Sequence, residues 1–416
     1  MVLVDTIKVE KLNNGLTVIA EPMAEVSSAA MVFLVPLGVA QDPQGRCGTA
    51  GVLSELAFRG AAERSNRELN DALDNLGLQR SQSVSPLFSR IGAAMVADQL
   101  PAALELYADI LQQPHLPADQ FEFCRQLALQ GIESLEDDPR QKIALLAREQ
   151  FYPEPLGRPA VGKLEQVQAL TPQEAVNHWK HHVTPSDTML AVAGKVDFEP
   201  LLEQLIALFG DWDNAPVDQP RGTDAPHEGT AHHGNDGAQV HIGVLYPSVH
   251  VSHPDYYAAM AAVSVLSGGM GSRLFTEVRE KRGLCYAVGA SHETVGSYGA
   301  VRCYLGSSPQ QAQEGLDVML DELVRLGEGI SEDELERAKI GLRASLIMQG
   351  ESSGARALRC AGDYFHLGRV RTLEEIETAI ADLTVEQVLE HVRSQPPGRF
   401  SVTTLGPAEL SVNVAI

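Results

Sequence analysis

Four groups of residues have side chains or spacings that chemistry could use. His227, His232 and His233 form a histidine tract that could touch a metal, but they lie in polar text rich in Pro and Gly, where histidines are ordinarily just solvated. Cys47, Cys124, Cys285, Cys303 and Cys360 are scattered and odd in number, with no C-x-x-C, which argues against both a disulfide framework and a thiolate zinc site. Gly268, Gly269 and Gly271 make a glycine-rich turn without the Lys-Ser/Thr of a phosphate loop, so a bend between two helices is the preferred reading. Arg279 and Tyr286 are the fourth group. A guanidinium and a phenol both donate hydrogen bonds, and neither must lose a proton to do so. A peptide carbonyl turning into an oxyanion gains most from such fixed donors in a water-poor cleft. Spacing alone decides nothing here. Arg279 stands among Glu277, Glu280, Lys281 and Arg282 as a solvated helix residue would, and Tyr286 reads equally as a half-buried strand aromatic.

The elements that position these residues come in two series. Ile7 to Leu12 and Leu16 to Ala20 read as strands about an Asn-Asn-Gly turn, and Ala29 to Leu37 as a buried strand. Thr49 to Phe58 has helical spacing, and Ser65-Asn-Arg-Glu68 is a capping box opening a helix that Gly77 closes. A strand pair broken near Pro86 follows, then helices near Gln99 to Gln112, Ala118 to Leu135 and Arg140 to Gln150, a strand at Thr188 to Ala193 and a helix at Glu199 to Leu208. About 200 residues later the order returns: Leu274 to Gly283, a strand pair ending at Leu305, a helix near Ala312 to Leu326, and another after Ile330. Between the series, Ala215 to Asp236 is poor in apolar residues and rich in Pro and Gly, as a linker would be. The expected organisation is α+β: residues 1–214 as one domain, 215–236 as linker, and 237–416 as a second, similar domain.

Gly48-Thr-Ala-Gly51-Val-Leu-Ser54-Glu55-Leu-Ala-Phe-Arg-Gly60 resembles the zinc helix of the M16 (pitrilysin-type) metallopeptidases, which reads G-x-A-H-x-x-E-H-x-x-F-K-G. In that family two histidines one turn apart bind zinc, and the intervening Glu acts as general base on the metal-bound water. Gly51 falls on the first His, Ser54 on the base and Glu55 on the second His. The family's third ligand is a Glu on a later helix, ahead of a segment matched by Glu136-Asp-Asp-Pro139; its position here is Gly131. Glycines offer no ligand, serine cannot replace the carboxylate base, and one carboxylate is not a metal site. Pro155-Leu-Gly-Arg-Pro159 with Gly162, and Leu190-Ala-Val-Ala-Gly194-Lys-Val-Asp197, also resemble family segments and read as structural. Leu266 through Val288 resembles the family's C-terminal-domain signature, and its Arg–Tyr pair, which binds substrate near the scissile bond, maps to Arg279 and Tyr286. Arg273 belongs to the same segment as a structural pairing residue. The resemblance spans nearly the whole chain. It implies two α/β-sandwich-like domains facing each other across a chamber. It further implies a zinc-free subunit of a heterodimer, with no cofactor in this chain and zinc in an M16 partner. Substrates would be short or unfolded peptides, added as a strand to a sheet edge. A purely structural scaffold and an independent enzyme with another site are the alternatives.

Composition limits the rest. Apolar residues at 44% can build a core, and aromatics at 5% leave that core to aliphatic packing. A net charge of −23 excludes nucleic acid as the expected partner; it favours solubility, or a field that attracts basic peptides. No apolar run is long enough for a transmembrane helix. Met1-Val-Leu-Val-Asp5 has neither the basic nor the apolar region of a signal peptide, so a reducing cytoplasmic location is expected; a chain trimmed at its start would make the periplasm the alternative.

Overall fold

A computed structural model describes residues 7–213, 220 and 224–412. The strands sort by their side chains. β1 (Lys8–Lys11) is exposed throughout and lies at one sheet edge. β2 (Thr17–Pro22) and β3 (Ser28–Val35) are almost wholly buried. A strand apolar on both faces must be covered on both faces, which places it centrally. β4 (Gly60–Ala61) and β5 (Arg64–Ser65) form a short separate ladder. The polar β6 (Gln79–Val84) forms the other edge, beside β7 (Ser89–Val96). With β8 (Met189–Gly194) the order is β1-β2-β8-β3-β7-β6, antiparallel except for the parallel β2–β8 pair.

The second sheet is built from β9 (Gly229–Gly234), β10 (Val240–Ser248), β11 (Ala287–Val295), β12 (Tyr298–Ser307) and β13 (Ser401–Gly406), in the order β11-β12-β10-β13-β9. Only the β13–β9 pair is parallel. Read from the opposite edge, this is the order of the first sheet without β1, so the internal repeat extends to topology. β9 is the counterpart of β2, and it falls within the expected 215–236 linker. That assignment is corrected for Gly229–Gly234. The strand reads Gly-Thr-Ala-His-His-Gly with no residue buried, so it has no apolar alternation to reveal it; pairing with β13 holds it in place. His232 and His233 are therefore strand residues, and His232 Nδ1 lies 2.9 Å from the Thr404 hydroxyl. Residues 214–219 and 221–223 of the expected linker lie outside the described residues.

The two compact units are not the contiguous blocks 1–214 and 237–416. One comprises Met1–Glu133, Arg158–Pro220 and Met348–Thr372; the other comprises Ser134–Gly157, Arg221–Ile347 and Leu373–Ile416. Each unit thus takes a helix from the other half of the sequence. In the first, Ala357, Cys360 and Ala361 of the Ser353–Leu367 helix pack on Ile19, Ala30, Val32 and Ala191, the sheet face opposite the main core. In the second, the Pro139–Phe151 helix lies on β10 so closely that a Cβ at Gly243 would stand 2.8 Å from that of Ala147. An amphipathic pattern shows that such a helix must be covered, but it does not say by which sheet.

Candidate functional site

In the first unit, the degenerate motif occupies the Thr49–Leu56 helix. Gly48 opens it at φ +109°, and a Cβ there would meet Val167 at 2.5 Å and the Gly162 Cα at 3.0 Å, so the Pro155-to-Gly162 loop seats the helix start by close backbone approach. Asp42 fastens the same turn: its Oδ2 accepts the Gly48 N–H at 2.7 Å and its Oδ1 accepts the Ala50 N–H at 2.9 Å. Arg158 Nη1 donates to the Asp42 carbonyl at 2.7 Å.

The side chains at the motif positions do other work. The Ser54 hydroxyl donates to Gln82 Oε1 on β6 at 3.3 Å. The Glu55 carboxylate is 3.8 Å from Arg59 Nη2, and that guanidinium lies over the Phe123 ring, 5.1 Å from its centroid. Gly51 and Gly131 contribute no atom that binds metal. The donor set that remains, one carboxylate already facing a cation, does not fit zinc. Among the described residues no three His, Cys, Asp or Glu side chains converge as a metal site, the histidines of β9 included.

The backbone itself has room for the lost ligands. A Cβ at Gly51 would meet only the Ala160 carbonyl oxygen at 3.8 Å, and one at Gly131 would meet nothing within 4 Å. The combined change Gly51→His, Glu55→His and Gly131→Glu is expected to yield a chain that retains close to one zinc per molecule after gel filtration. Metal analysis checks this, and an unchanged metal content would show that the ligand positions no longer converge.

A buried and a half-buried histidine beside this helix set a pH dependence. On the Pro172–His182 helix, burial pushes His178 down to about 3 and His182 down to about 4 from 6.5, while burial pushes Asp42 up to about 7 from 3.8. Between about pH 4 and 6.5 the unfolded chain binds the two histidine protons that the folded chain refuses, so these residues make stability fall as pH falls. Asp42 acts oppositely, its contribution falling as pH rises through the same window, and offsets one of the two. Replacing His182 with Gln is expected to flatten the acid loss of stability by about 1 kcal/mol per pH unit on average, measured by urea unfolding from pH 6.5 to 4.

In the second unit, Arg279 lies on a π-helical turn, Phe275–Glu280, whose i→i+5 bond runs from the Lys281 N–H to the Thr276 carbonyl at 2.9 Å. Such turns recur at functional sites. The charged cluster resolves without Arg279: Glu277 accepts from Lys281 Nζ at 2.6 Å and Arg282 Nη1 at 2.8 Å. Arg279 is exposed, 5.0 Å from the Phe275 ring centroid, and has no ion pair among the described residues. Its charge acts on Cys285, working against the burial that pushes that thiol up. Tyr286 directly precedes β11; its N–H donates to the Gly306 carbonyl at 2.8 Å, its side chain is 60% exposed, and its hydroxyl has no partner among the described residues. Arg273, by contrast, is a structural clamp. It donates to both Glu334 oxygens at 2.7 and 3.0 Å and to the Gly329 carbonyl at 2.6 Å, and the hydrogen bonds from Arg273 hold Glu334 down at about 2.

Known proteins agree with this architecture. Residues 17–163 match the family described as "Insulinase (Peptidase family M16)", and residues 169–342 match "Peptidase M16 inactive domain". An uncharacterized zinc protease of Mycobacterium tuberculosis is 29% identical over 409 residues, covering 95% of this chain and 92% of the relative. A peptidase M16 inactive domain from Pseudomonas fluorescens superposes with a TM-score of 0.89 at 19% identity, covering 98% of this chain and 99% of that one. A protease from Helicobacter pylori superposes with a TM-score of 0.88 at 20% identity, covering 97% and 100%. With both characteristic domains matched in sequence and the whole fold shared, this chain belongs to the M16 peptidase family.

Proposed function

We propose that this chain is the zinc-free subunit of a two-chain M16 peptidase, and that Arg279 and Tyr286 bind the substrate carbonyl for hydrolysis at a zinc site carried by a homologous partner. One observation carries the reading. Two hydrogen-bond donors suited to an oxyanion stand exposed and unengaged among the described residues, in a chain whose own zinc positions hold Gly51, Ser54, Glu55 and Gly131. Arg279 has no carboxylate partner among the described residues, since the neighbouring Glu277 is already satisfied by Lys281 and Arg282, so its guanidinium is open to a ligand.

The partner supplies the two histidines, the base and the zinc; this chain supplies donors that need no change of protonation. The substrate is a short or unfolded peptide added along a sheet edge. Five scattered cysteines with no C-x-x-C fit assembly in a reducing compartment, hence the cytoplasm, and among the described residues no helix is long and apolar enough to cross a membrane. The test is co-expression with a homologue that carries H-x-x-E-H. The mixture should cleave unfolded peptides well above either chain alone; a rate equal to that of the zinc-bearing chain by itself would remove this role and leave a scaffold.

A further inference from the structure

In the second unit a cleft of about 270 Å³ lies between the Pro139–Phe151 helix and the edge strand β11. Ala144, Val288 and Gly289 give it an apolar side, and Arg140, Arg302 and Tyr304 a polar one. Among the described residues no strand pairs with the outer side of β11.

The two arginines are unusually placed for a chain with 55 acidic against 32 basic residues. Arg140 has no ion pair among the described residues; its guanidinium lies 5.0 Å from the Tyr304 ring centroid, and the Tyr304 hydroxyl is in turn 2.9 Å from His241 Nδ1. Arg302 has one loose ion pair, its Nε 3.7 Å from Glu293 Oε2. Glu293 is already engaged through Oε1 by the Tyr152 hydroxyl at 2.8 Å and Arg148 Nε at 3.2 Å. Asp138, the other nearby acid, caps its helix by accepting the Gln141 N–H at 3.0 Å. The local carboxylates are thus spoken for, while the guanidinium donors of Arg140 and Arg302 make no hydrogen bond among the described residues.

The arrangement recurs in the first unit, which carries a cleft of about 390 Å³ between the Ser353–Leu367 helix and its own edge strand β6. There Arg90, on the strand next to the edge, has a buried Nε without a partner and no ion pair among the described residues. In both units, then, the helix taken from the other half of the chain leaves a cleft beside an open edge with an unsatisfied arginine in it.

We propose that the second unit's cleft binds a carboxylate of an extended peptide running beside β11, held between Arg140 and Arg302. This rests on the Arg279–Tyr286 reading, because β11 begins one residue after Tyr286, so a peptide held by that pair leads into the cleft. The occupant is an acidic peptide segment. A planar carboxylate matches the fork of a guanidinium, which a neutral amide does so only in part. The overall field of this chain repels acids, so the preference is local and confined to one position of the peptide.

The experiment uses the full chain and fluorescent peptides that differ only by Glu or Gln at each position in turn, made with free or amidated C-termini, and reads binding by anisotropy. Glu at one position should bind roughly tenfold tighter than Gln, as a charged hydrogen bond would give. The advantage should vanish in Arg140→Gln combined with Arg302→Gln, and return in part with Arg302→Lys. Arg279→Ala should weaken all peptides only slightly and leave the Glu-to-Gln ratio intact. If the advantage follows the free C-terminus instead of a side chain, the cleft is still a carboxylate site, reading chain ends. Equal binding of Glu, Gln, acid and amide forms would overturn the cleft proposal and leave the Arg279–Tyr286 reading standing. An acid preference that survives the double substitution would overturn it too, and failure of every peptide to bind would overturn both.

Discussion

Arg279→Ala and Tyr286→Phe are each expected to lower kcat/KM of the reconstituted two-chain peptidase by about a hundredfold, corresponding to about 3 kcal/mol of lost transition-state stabilisation. The donors matter most when the carbonyl oxygen takes on charge, so the loss should fall mainly on kcat and only slightly on KM. Arg279→Lys should recover a fraction, because an ammonium keeps the charge without the planar fork. Folding is the control. Both side chains are exposed and neither is tied to another side chain by a hydrogen bond among the described residues, so thermal unfolding of the variants should match that of the parent. Rates within twofold of the parent in both variants would remove these residues from the reaction.

The second large effect concerns stability. Glu21, at the end of β2 and 1% exposed, receives Arg356 Nη2 at 2.5 Å, Arg359 Nη2 at 2.9 Å and the Cys360 thiol at 3.2 Å, all from the Ser353–Leu367 helix. Glu21→Ala would leave two largely buried guanidinium groups without their shared anion. Breaking a buried ionic cluster from one side costs about 3–5 kcal/mol, more than the apolar contacts of the small Ala357 and Ala361 side chains can offset. The expected result is a lower urea midpoint for the first unit and early protease cutting near residues 348–372. Glu21→Gln should cost less, since its amide oxygen still accepts from one arginine. A change below about 1 kcal/mol for Glu21→Ala would show that the helix is held by packing alone.

Much of the fold was legible because its signals are local. The Ser65–Glu68 capping box forms as read, with the Ser65 side chain accepting from the Glu68 N–H. The apolar run at β3 becomes a strand buried on both faces, and the helices Leu100–Gln112 and Ala118–Glu133 begin and end close to their expected bounds. β9 was not legible, because an exposed edge strand needs no apolar alternation and its parallel partner β13 lies far along the chain. The Ser353–Leu367 helix was missed for a related reason. Its partners are on β2, β3 and β8, and its anchor is one acid at position 21; only the buried arginines Arg356 and Arg359 could have hinted at a distant anion.

The sequence by itself determined the family resemblance and the identity of the side chains at the zinc positions, since Gly51, Ser54, Glu55 and Gly131 lack a ligand set in any conformation. It also singled out Arg279 and Tyr286, but could not separate a reactive pair from a solvated helix residue and a strand aromatic. Tertiary structure decided only that both donors are open: Glu277 is claimed by Lys281 and Arg282, and the Tyr286 side chain is exposed. It decided as well which sheet covers each exchanged helix, and that Arg140 and Arg302 line one cleft although they are distant in sequence. The physical reason is the same in each case: residue type fixes what a group can donate or accept, while only the packed chain fixes which of its possible partners are near enough to satisfy it.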